Sequence, residues 1–280
     1  MGLVNISIKR RMNKMTNTQH YTYSDQDDDI TRTLINQKEP YKGYWQDSEN
    51  AVLSTMHKHI NNYTRNMDTC LLDAGCGEGR LIGIFEKKFS EIWAIEPDPE
   101  RINLAQDSLK KQKFSDKVTF KNIAIEQLSN EKLFDVILCS HVLQHIHTDL
   151  ANTTIQKFAS ILKKNGLLLL TTCHSTKGAD YYIKNFTDKY KSYEQLIGKE
   201  DFNALTSTGD GLPIHFFSYK AITDCLKNAG FKIIDFRVFH VLEDILLINK
   251  SLSRDKIINI IPFLQQRYGR DMLIVAKLDE

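Results

Sequence analysis

The stretch LLDAGCGEG at residues 71–79 decides how the rest of this sequence is interpreted. It joins a short apolar run, residues 69–74, to a stripe in which Leu81 and Ile84 recur at helical spacing. A glycine-rich turn between a first strand and a first helix lets a ligand approach the backbone closely, because a Cβ would collide there. The stretch therefore predicts a ligand-binding turn.

Working outward from this turn, apolar runs and helical stripes alternate along the chain. The runs that read as strands are residues 69–74, 92–95, 118–123, 134–139, 167–172, 231–239 and 272–278. Strands separated by helices of about 10–15 residues imply right-handed crossovers and a parallel, doubly wound sheet. Near-continuous apolar runs agree with a sheet that is covered on both faces.

An acidic residue follows the second strand. Glu96 lies about twenty residues after the glycine turn, where a carboxylate can accept hydrogen bonds from both ribose hydroxyls. The turn and the acid together predict that an adenosine-like group lies across the strand ends.

The details of the turn distinguish between cofactors. A dinucleotide fingerprint needs a third glycine where this chain has Arg80, and no Gly-Lys-Ser/Thr ending of a phosphate loop is present. Asp73 and Glu78 would repel a pyrophosphate and suit a cationic ligand. S-adenosylmethionine carries an ammonium and a sulfonium but no phosphate, so the electrostatics favour it.

Residues 71–79 resemble the first motif of class I S-adenosylmethionine-dependent methyltransferases, and Glu96 matches the ribose-binding acid of that family. Residues 134–145 resemble its fourth strand and residues 162–168 the entry to its fifth. Residues 216–231 resemble the late helix and strand of the small-molecule, ubiquinone-biosynthesis-like branch. The resemblance covers residues 51–172 and 216–280.

The resemblance implies an α/β fold with a doubly wound, mostly parallel seven-stranded sheet whose last strand is antiparallel, a Rossmann-like methyltransferase fold with helical cap insertions. Residues 1–50 are expected to form an N-terminal tail and lid helices. Residues 51–280 are expected to form the methyltransferase domain, with substrate-cap insertions at 174–217 and 241–270.

The resemblance also transfers cofactor contacts to six positions, namely Asp73, Gly75, Gly77, Glu96, Ile125 and Ser140. The first three and Ser140 would border the methionyl part, Glu96 the ribose and the Ile125 backbone the adenine. One position departs from the family pattern: Ala124 stands where many members have an acid that accepts the adenine amino group.

Three histidines are candidates for a general base that removes a proton from the methyl acceptor. His141 and His174 follow the fourth and fifth strands, and His215 lies in a segment that can line the pocket. A solvated or structural histidine is the alternative for each. His141 and His145 can share a helical face, but no clear carboxylate or thiol completes a ligand set, so no metal site is expected.

The sequence predicts methyl transfer by in-line displacement to a small, partly apolar molecule, with S-adenosylhomocysteine as product. A formal net charge of +2 gives no electrostatic case for a nucleic-acid partner. Methylation of a peptide or protein terminus, or a non-catalytic module that binds the cofactor, stays open as an alternative. A dehydrogenase is disfavoured by the missing third glycine.

Features outside the motifs bear on location. No apolar run of about 18 residues is present, so no membrane span is expected. The five cysteines form no Cys-x-x-Cys pair, which fits a reducing cytoplasm. The basic residues near the start of the chain read as a frayed tail, with organelle targeting as the alternative, and the oligomeric state is left open.

Overall fold

The computed structural model describes residues 44–64, 68–111, 115–187, 192–208, 211–241 and 254–279. Its strands are β1 Cys70–Ala74, β2 Glu91–Ile95, β3 Val118–Lys121, β4 Phe134–Ser140, β5 Leu162–Ser175, β6 Tyr181–Thr187, β7 Ser192–Ile197, β8 Leu212–Ser218, β9 Phe231–Phe239 and β10 Asp271–Leu278. Its helices are α1 Tyr44–Tyr63, α2 Arg80–Phe85, α3 Pro99–Lys111, α4 Thr148–Ile161, α5 Lys199–Thr208, α6 Tyr219–Asn228, α7 Arg254–Ile260 and α8 Pro262–Gln265.

Seven of these strands form the central sheet, in the order β3-β2-β1-β4-β5-β10-β9. The first five pair in parallel, and β10 runs antiparallel to both of its neighbours. This confirms the predicted doubly wound sheet with an antiparallel last strand. Because β10 is reversed, its first residue lies at the same edge as the carboxyl ends of the parallel strands.

Apolar clusters cover both faces of the sheet. Leu72 and Ile137 pack on one face with Phe158 of α4. Their strand neighbours Leu71 and Val136 pack on the other, with α1 and α2. Successive strand residues point to opposite faces, so burial on both sides explains why the strands are apolar throughout.

The insertion at 174–217 is built differently from the expected helical cap. Its described residues form three strands, β6, β7 and β8, and one helix, α5. Strand β5 continues past the central sheet, and its end pairs with the end of β8 through His174–Phe217 and Ser175–Ser218. The expectation of a helical cap is wrong for this segment. The backbone N–H and C=O groups at the end of β5 need hydrogen-bond partners, and strand β8 supplies them.

Two other expected segments are described only in part. Helix α1 crosses the predicted boundary at residue 50, and residues 1–43 lie outside the described part of the chain. Of the insertion at 241–270, helices α7 and α8 are described and residues 242–253 are not. In the described residues, no helix combines the length and apolar character that a membrane span needs.

Candidate active site

A cavity of about 850 Å³ opens where the parallel strands end. The turns after β1, β2 and β4, the end of β5 and the start of β10 form its walls, together with part of α1. Open α/β sheets bind ligands at this edge. All six residues predicted to contact a cofactor line this cavity: Asp73, Gly75, Gly77, Glu96, Ile125 and Ser140.

The glycine turn is held against the end of β2. The backbone N–H groups of Gly75 and Cys76 both donate to the Ile95 carbonyl, at 2.9 and 3.0 Å. Gly75 has a φ of +79°, and a Cβ there would lie 2.3 Å from Cγ2 of Val142. This position therefore requires glycine for two independent reasons, its backbone conformation and the close approach of a neighbour.

Glu96 is buried beside this turn, with 8% of its surface exposed. Its Oε2 accepts the Gly77 N–H at 3.0 Å, and its Oε1 accepts the Asp98 N–H at 3.1 Å. A carboxylate offers about four lone-pair sites, so this orientation leaves acceptor capacity on both oxygens for a pair of hydroxyls. Burial raises the pKa of Glu96, against the opposing effect of these hydrogen bonds and of Arg101.

Asp73 lacks a partner that its carboxylate needs. The residue is 2% exposed, and its Oδ2 accepts no hydrogen bond from the described residues. Burial, and secondly the charge of Glu96, raise its pKa to about 7. An unpaired buried carboxylate is unfavourable, and a ligand ammonium would stabilise it. The residues of this end therefore fit the cationic methionyl part of S-adenosylmethionine.

The adenine side differs from the sequence prediction in one respect. Ala124 and Ile125 line the cavity as expected, in and before a short 3₁₀ turn at residues 125–127. Glu126 lines it as well, two residues beyond the place where the family acid is missing. Sequence reasoning did not select Glu126, because position alone gave no sign that the turn would bring this residue to the cavity.

Of the three histidines predicted as general bases, the structure places one at the cavity. His141 lines it and has a φ of +56°, a conformation that non-glycine residues rarely adopt. Sparsely populated backbone conformations persist where surrounding structure enforces them, and they concentrate at functional sites.

His174 and His215 do not line the cavity. The Nδ1–H of His174 donates to the Gly269 carbonyl at 3.0 Å, and its ring lies edge-on to Phe236. His215 Nε2 bonds to Asp180 at 2.8 Å. In each strand it is the preceding residue, Cys173 or Ile214, that lines the cavity, because strand side chains alternate between faces. Neither residue is therefore placed at the cavity to act as a base.

Hydrogen bonds fix the protonation pattern around His141. The Cys173 N–H donates to Oε1 of Gln144 at 3.0 Å, so that oxygen is an acceptor and His141 Nδ1, 3.1 Å away, must be the donor. The amide Nε2 of Gln144 donates to His145 Nε2 at 3.2 Å, and His145 Nδ1–H donates to the Pro213 carbonyl at 2.7 Å. In neutral His141 the lone pair is therefore on Nε2.

Burial lowers the pKa of His145 to about 4, so this ring is neutral at pH 7, as the hydrogen-bond pattern requires. The sequence places Gln144 and His145 next to His141. It does not show that an amide from β5, 29 residues later, selects the tautomer.

A second buried pair at this end was not predicted. His240, with a φ of +52°, donates from Nδ1 to Oδ2 of Asp271 at 2.7 Å. Burial opposes ionisation of Asp271, but the hydrogen bond from His240 and nearby positive charges lower its pKa to about 2. Both residues line the cavity. They could be found from sequence only by knowing that β10 is reversed and starts at the binding edge.

Three side chains here have the chemistry of metal ligands. The donor atoms of His141, Cys173 and Asp271 all lie within 4.8 Å of one another. Among the described residues, no other three side chains of this kind come together in this way. In the sequence, no thiol or carboxylate was seen to complete a ligand set with a histidine. In the structure, the thiol of Cys173 comes from β5 and the carboxylate of Asp271 from β10.

Fold and site define a class I methyltransferase architecture, with a cofactor end formed by the glycine turn and Glu96. A family model described as a methyltransferase domain matches residues 23–235, and the chain belongs to that family. This confirms the prediction that the chain belongs to a methyltransferase family.

Curated relatives include ubiquinone biosynthesis O-methyltransferases. That of Rickettsia typhi is 27% identical over 128 residues, which is 46% of this chain and 49% of the relative. That of Xanthomonas campestris is 28% identical over 150 residues, 50% of this chain and 61% of the relative. The chain thus spans about half the length of the curated relatives it matches.

Solved structures share the fold at low identity. Magnesium protoporphyrin IX methyltransferase from Synechocystis, with S-adenosylhomocysteine bound, superposes with a TM-score of 0.57 at 15% identity and covers 90% of this chain and 94% of its own. The 1,6-didemethyltoxoflavin-N1-methyltransferase of Burkholderia thailandensis gives 0.53 at 15% identity, covering 90% and 87%. At this identity the likeness supports the fold.

Proposed function

We propose that this protein transfers the methyl group of S-adenosylmethionine to a small, partly apolar molecule. The observation that carries the proposal is that one cavity has two chemically different ends. Asp73, Glu96 and the glycine turn form an acidic end that suits the cofactor, and His141 lies with Cys173 and Asp271 at the other. Ser140 connects the two at the end of β4.

The cofactor supplies a methyl group that is already activated by the positive charge of its sulfonium. The protein therefore contributes mainly orientation, which in favourable systems lowers a barrier by about 7–11 kcal/mol. Asp73 and Glu96 hold the donor, and the acceptor atom enters opposite it, beside His141. His141, whose neutral ring carries its lone pair on Nε2, is the one predicted base that lines the cavity.

The acceptor is proposed to be partly apolar because the inserted segment gives the cavity an apolar wall. Leu212 and Ile214 of β8 line it, as does Leu53 of α1. The names of related proteins point the same way, since ubiquinone precursors, a toxoflavin precursor and magnesium protoporphyrin are small molecules.

A reducing compartment, the cytoplasm, is the proposed location. All five cysteines are free thiols, and four of them are buried. Buried free thiols of this kind behave as small apolar side chains and need no oxidising environment.

Calorimetric titration with S-adenosylhomocysteine, followed by transfer from labelled S-adenosylmethionine into fractionated host extract, tests the proposal. We expect saturable binding and label in a small-molecule fraction, both before and after the extract is treated with protease. Label that disappears with protease treatment identifies a peptide acceptor instead. Binding without transfer to any fraction identifies a non-catalytic module, and absence of binding overturns the cofactor assignment.

A further inference from the structure

The acceptor end of the cavity holds a cluster that proton transfer alone does not explain. His141, Cys173 and Asp271 come from the turn after β4, from β5 and from the start of β10. Their donor atoms lie within 4.8 Å of one another, and all three residues line the cavity. A general base requires one lone pair with an orienting partner, whereas this cluster presents a nitrogen, a sulfur and an oxygen around one point.

We propose that His141, Cys173 and Asp271 bind a zinc ion at the acceptor end, an inference that rests on the proposed function and specifies its acceptor site. Zinc takes nitrogen, thiolate and carboxylate ligands at about 2.0–2.3 Å in tetrahedral geometry. Three protein ligands with the fourth position open to a cavity is the arrangement of catalytic zinc sites. The open position fits an acceptor with an oxygen or nitrogen lone pair.

The hydrogen bonds behind the cluster are those that a metal-binding histidine needs. His141 Nδ1–H donates to Gln144 Oε1 at 3.1 Å, which leaves Nε2 to coordinate an ion. Metal-ligating histidines usually donate their second N–H to a carbonyl or carboxylate in this way, which fixes the tautomer and the ring orientation. Asp271 is held similarly, by the Nδ1–H of His240 at 2.7 Å.

The charges of the cluster balance with a divalent ion present. Zinc would replace the proton of the Cys173 thiol, since a metal binds the deprotonated form of its ligands. One thiolate and one carboxylate then neutralise the ion. Arg270 also lines the cavity. Its guanidinium pairs with the Glu194 carboxylate at 2.7 Å, so this pair as a whole carries no net charge. A thiolate ligand favours zinc over magnesium or calcium, which prefer oxygen.

Zinc ligation and proton acceptance compete for the same Nε2 lone pair of His141. The two roles are mutually exclusive at any instant, so His141 can act as a general base only in molecules without the ion. A bound ion also gives a role to Cys173 and Asp271, which a base mechanism leaves unused.

Cobalt chloride is the probe for this site, because cobalt(II) takes the same ligands and its absorption reports a thiolate ligand and tetrahedral geometry. Metal-free protein without an affinity tag is titrated with cobalt. We expect one ion per chain, a near-ultraviolet charge-transfer band from the thiolate, and loss of the spectrum when zinc is added in competition.

The variants Cys173→Ser and Asp271→Asn should weaken cobalt binding at least tenfold, and Cys173→Ser should remove the charge-transfer band. Cys225→Ser is the matched control, because Cys225 is a thiol on α6 that bonds to Asn152 and does not line the cavity. Binding of S-adenosylhomocysteine by each variant shows that it is folded, and it tests the cofactor end separately.

A spectrum that is unchanged in Cys173→Ser, or a wild-type protein that binds no cobalt while it binds S-adenosylhomocysteine, overturns the zinc site and leaves the proposed function standing. If the protein binds cobalt at this site but does not bind S-adenosylhomocysteine, the metal site stands and the cofactor assignment is wrong.

Discussion

The backbone N–H of Gly77 donates to the side-chain carboxylate of Glu96 at 3.0 Å, which ties the glycine turn to the acid at the end of the next strand. Nineteen residues separate the two in sequence. The contact means that the two parts of the cofactor end are one structural unit. A change in the acid therefore alters the turn that approaches the cofactor as well as the group expected to bind its ribose.

Replacing Glu96 with Gln should lower the affinity for S-adenosylhomocysteine about 10–100-fold, because hydrogen bonds to a charged group contribute about 1.5–3 kcal/mol. The amide has one acceptor oxygen and cannot serve Gly77, Asp98 and two hydroxyls together. Isothermal titration calorimetry measures the change. Glu91→Gln is the control, since Glu91 pairs with Lys132 and lies outside the cavity lining. Equal affinity of both variants contradicts a ribose-binding role for Glu96.

Gly75→Ala should destabilise the fold beyond the effect of its backbone conformation. Gly178 has nearly the same φ, +77° against +79°, but a Cβ there meets nothing within 4 Å. An alanine held at this positive φ destabilises the folded state by about 1–2 kcal/mol at either position. Only Gly75→Ala adds the clash with Val142. Urea unfolding should show a larger loss for Gly75→Ala, and the double variant with Val142→Ala should recover part of it. Equal losses in the free energy of unfolding for the two variants would show that the close approach of Val142 does not contribute.

The affinity for S-adenosylhomocysteine should rise about tenfold between pH 6 and pH 8 through Asp73. Its pKa is raised to about 7 in the unliganded protein, so at pH 6 most molecules carry a neutral carboxyl that cannot pair with the ligand ammonium. Binding should release a proton, which is measurable by calorimetry in buffers of different ionisation enthalpy. Asp73→Asn should bind weakly and with a flat pH profile. A steep profile in that variant would assign the titration to another group.

The unliganded Asp73→Asn variant should unfold at a higher temperature than the wild type at pH 8. A carboxyl whose pKa is raised on folding favours the folded state when protonated, and that advantage disappears as the pH rises from about 4 to 7. The amide removes the cost of the buried charge. Differential scanning calorimetry at pH 5 and pH 8 checks this, and the difference between variant and wild type should grow with pH. A lower melting temperature at pH 8 would mean that Asp73 already has a stabilising partner.

The cofactor end was predictable because it is local. The turn at residues 75–79 and Glu96 lie within one strand–helix–strand unit, and a fixed spacing connects them. The acceptor end depends on contacts between distant segments. Whether Cys173 or His174 faces the cavity is a matter of strand parity, and a shift of one residue exchanges the faces. The sequence alone does not determine that parity.

The fold was predictable for a related reason. Runs such as residues 136–139 are apolar on both faces, and this pattern persists whatever the neighbouring strands are. The insertion was not, because β6 and β8 depend on pairing with each other and with the extended end of β5. A strand that is stabilised by partners far away in sequence leaves a weaker local pattern than a helix does.

The narrow attachment of β8 also bears on how such proteins diversify. Two residue pairs join β8 to β5, and the other parallel pairings of the central sheet do not involve the inserted strands. Changes at Leu212 or Ile214 therefore alter the wall of the cavity, whereas Asp73 and Glu96 lie at the ends of β1 and β2, which do not pair with β8. Such an arrangement allows the acceptor wall to change in related proteins without a change in the strands that carry the expected donor contacts.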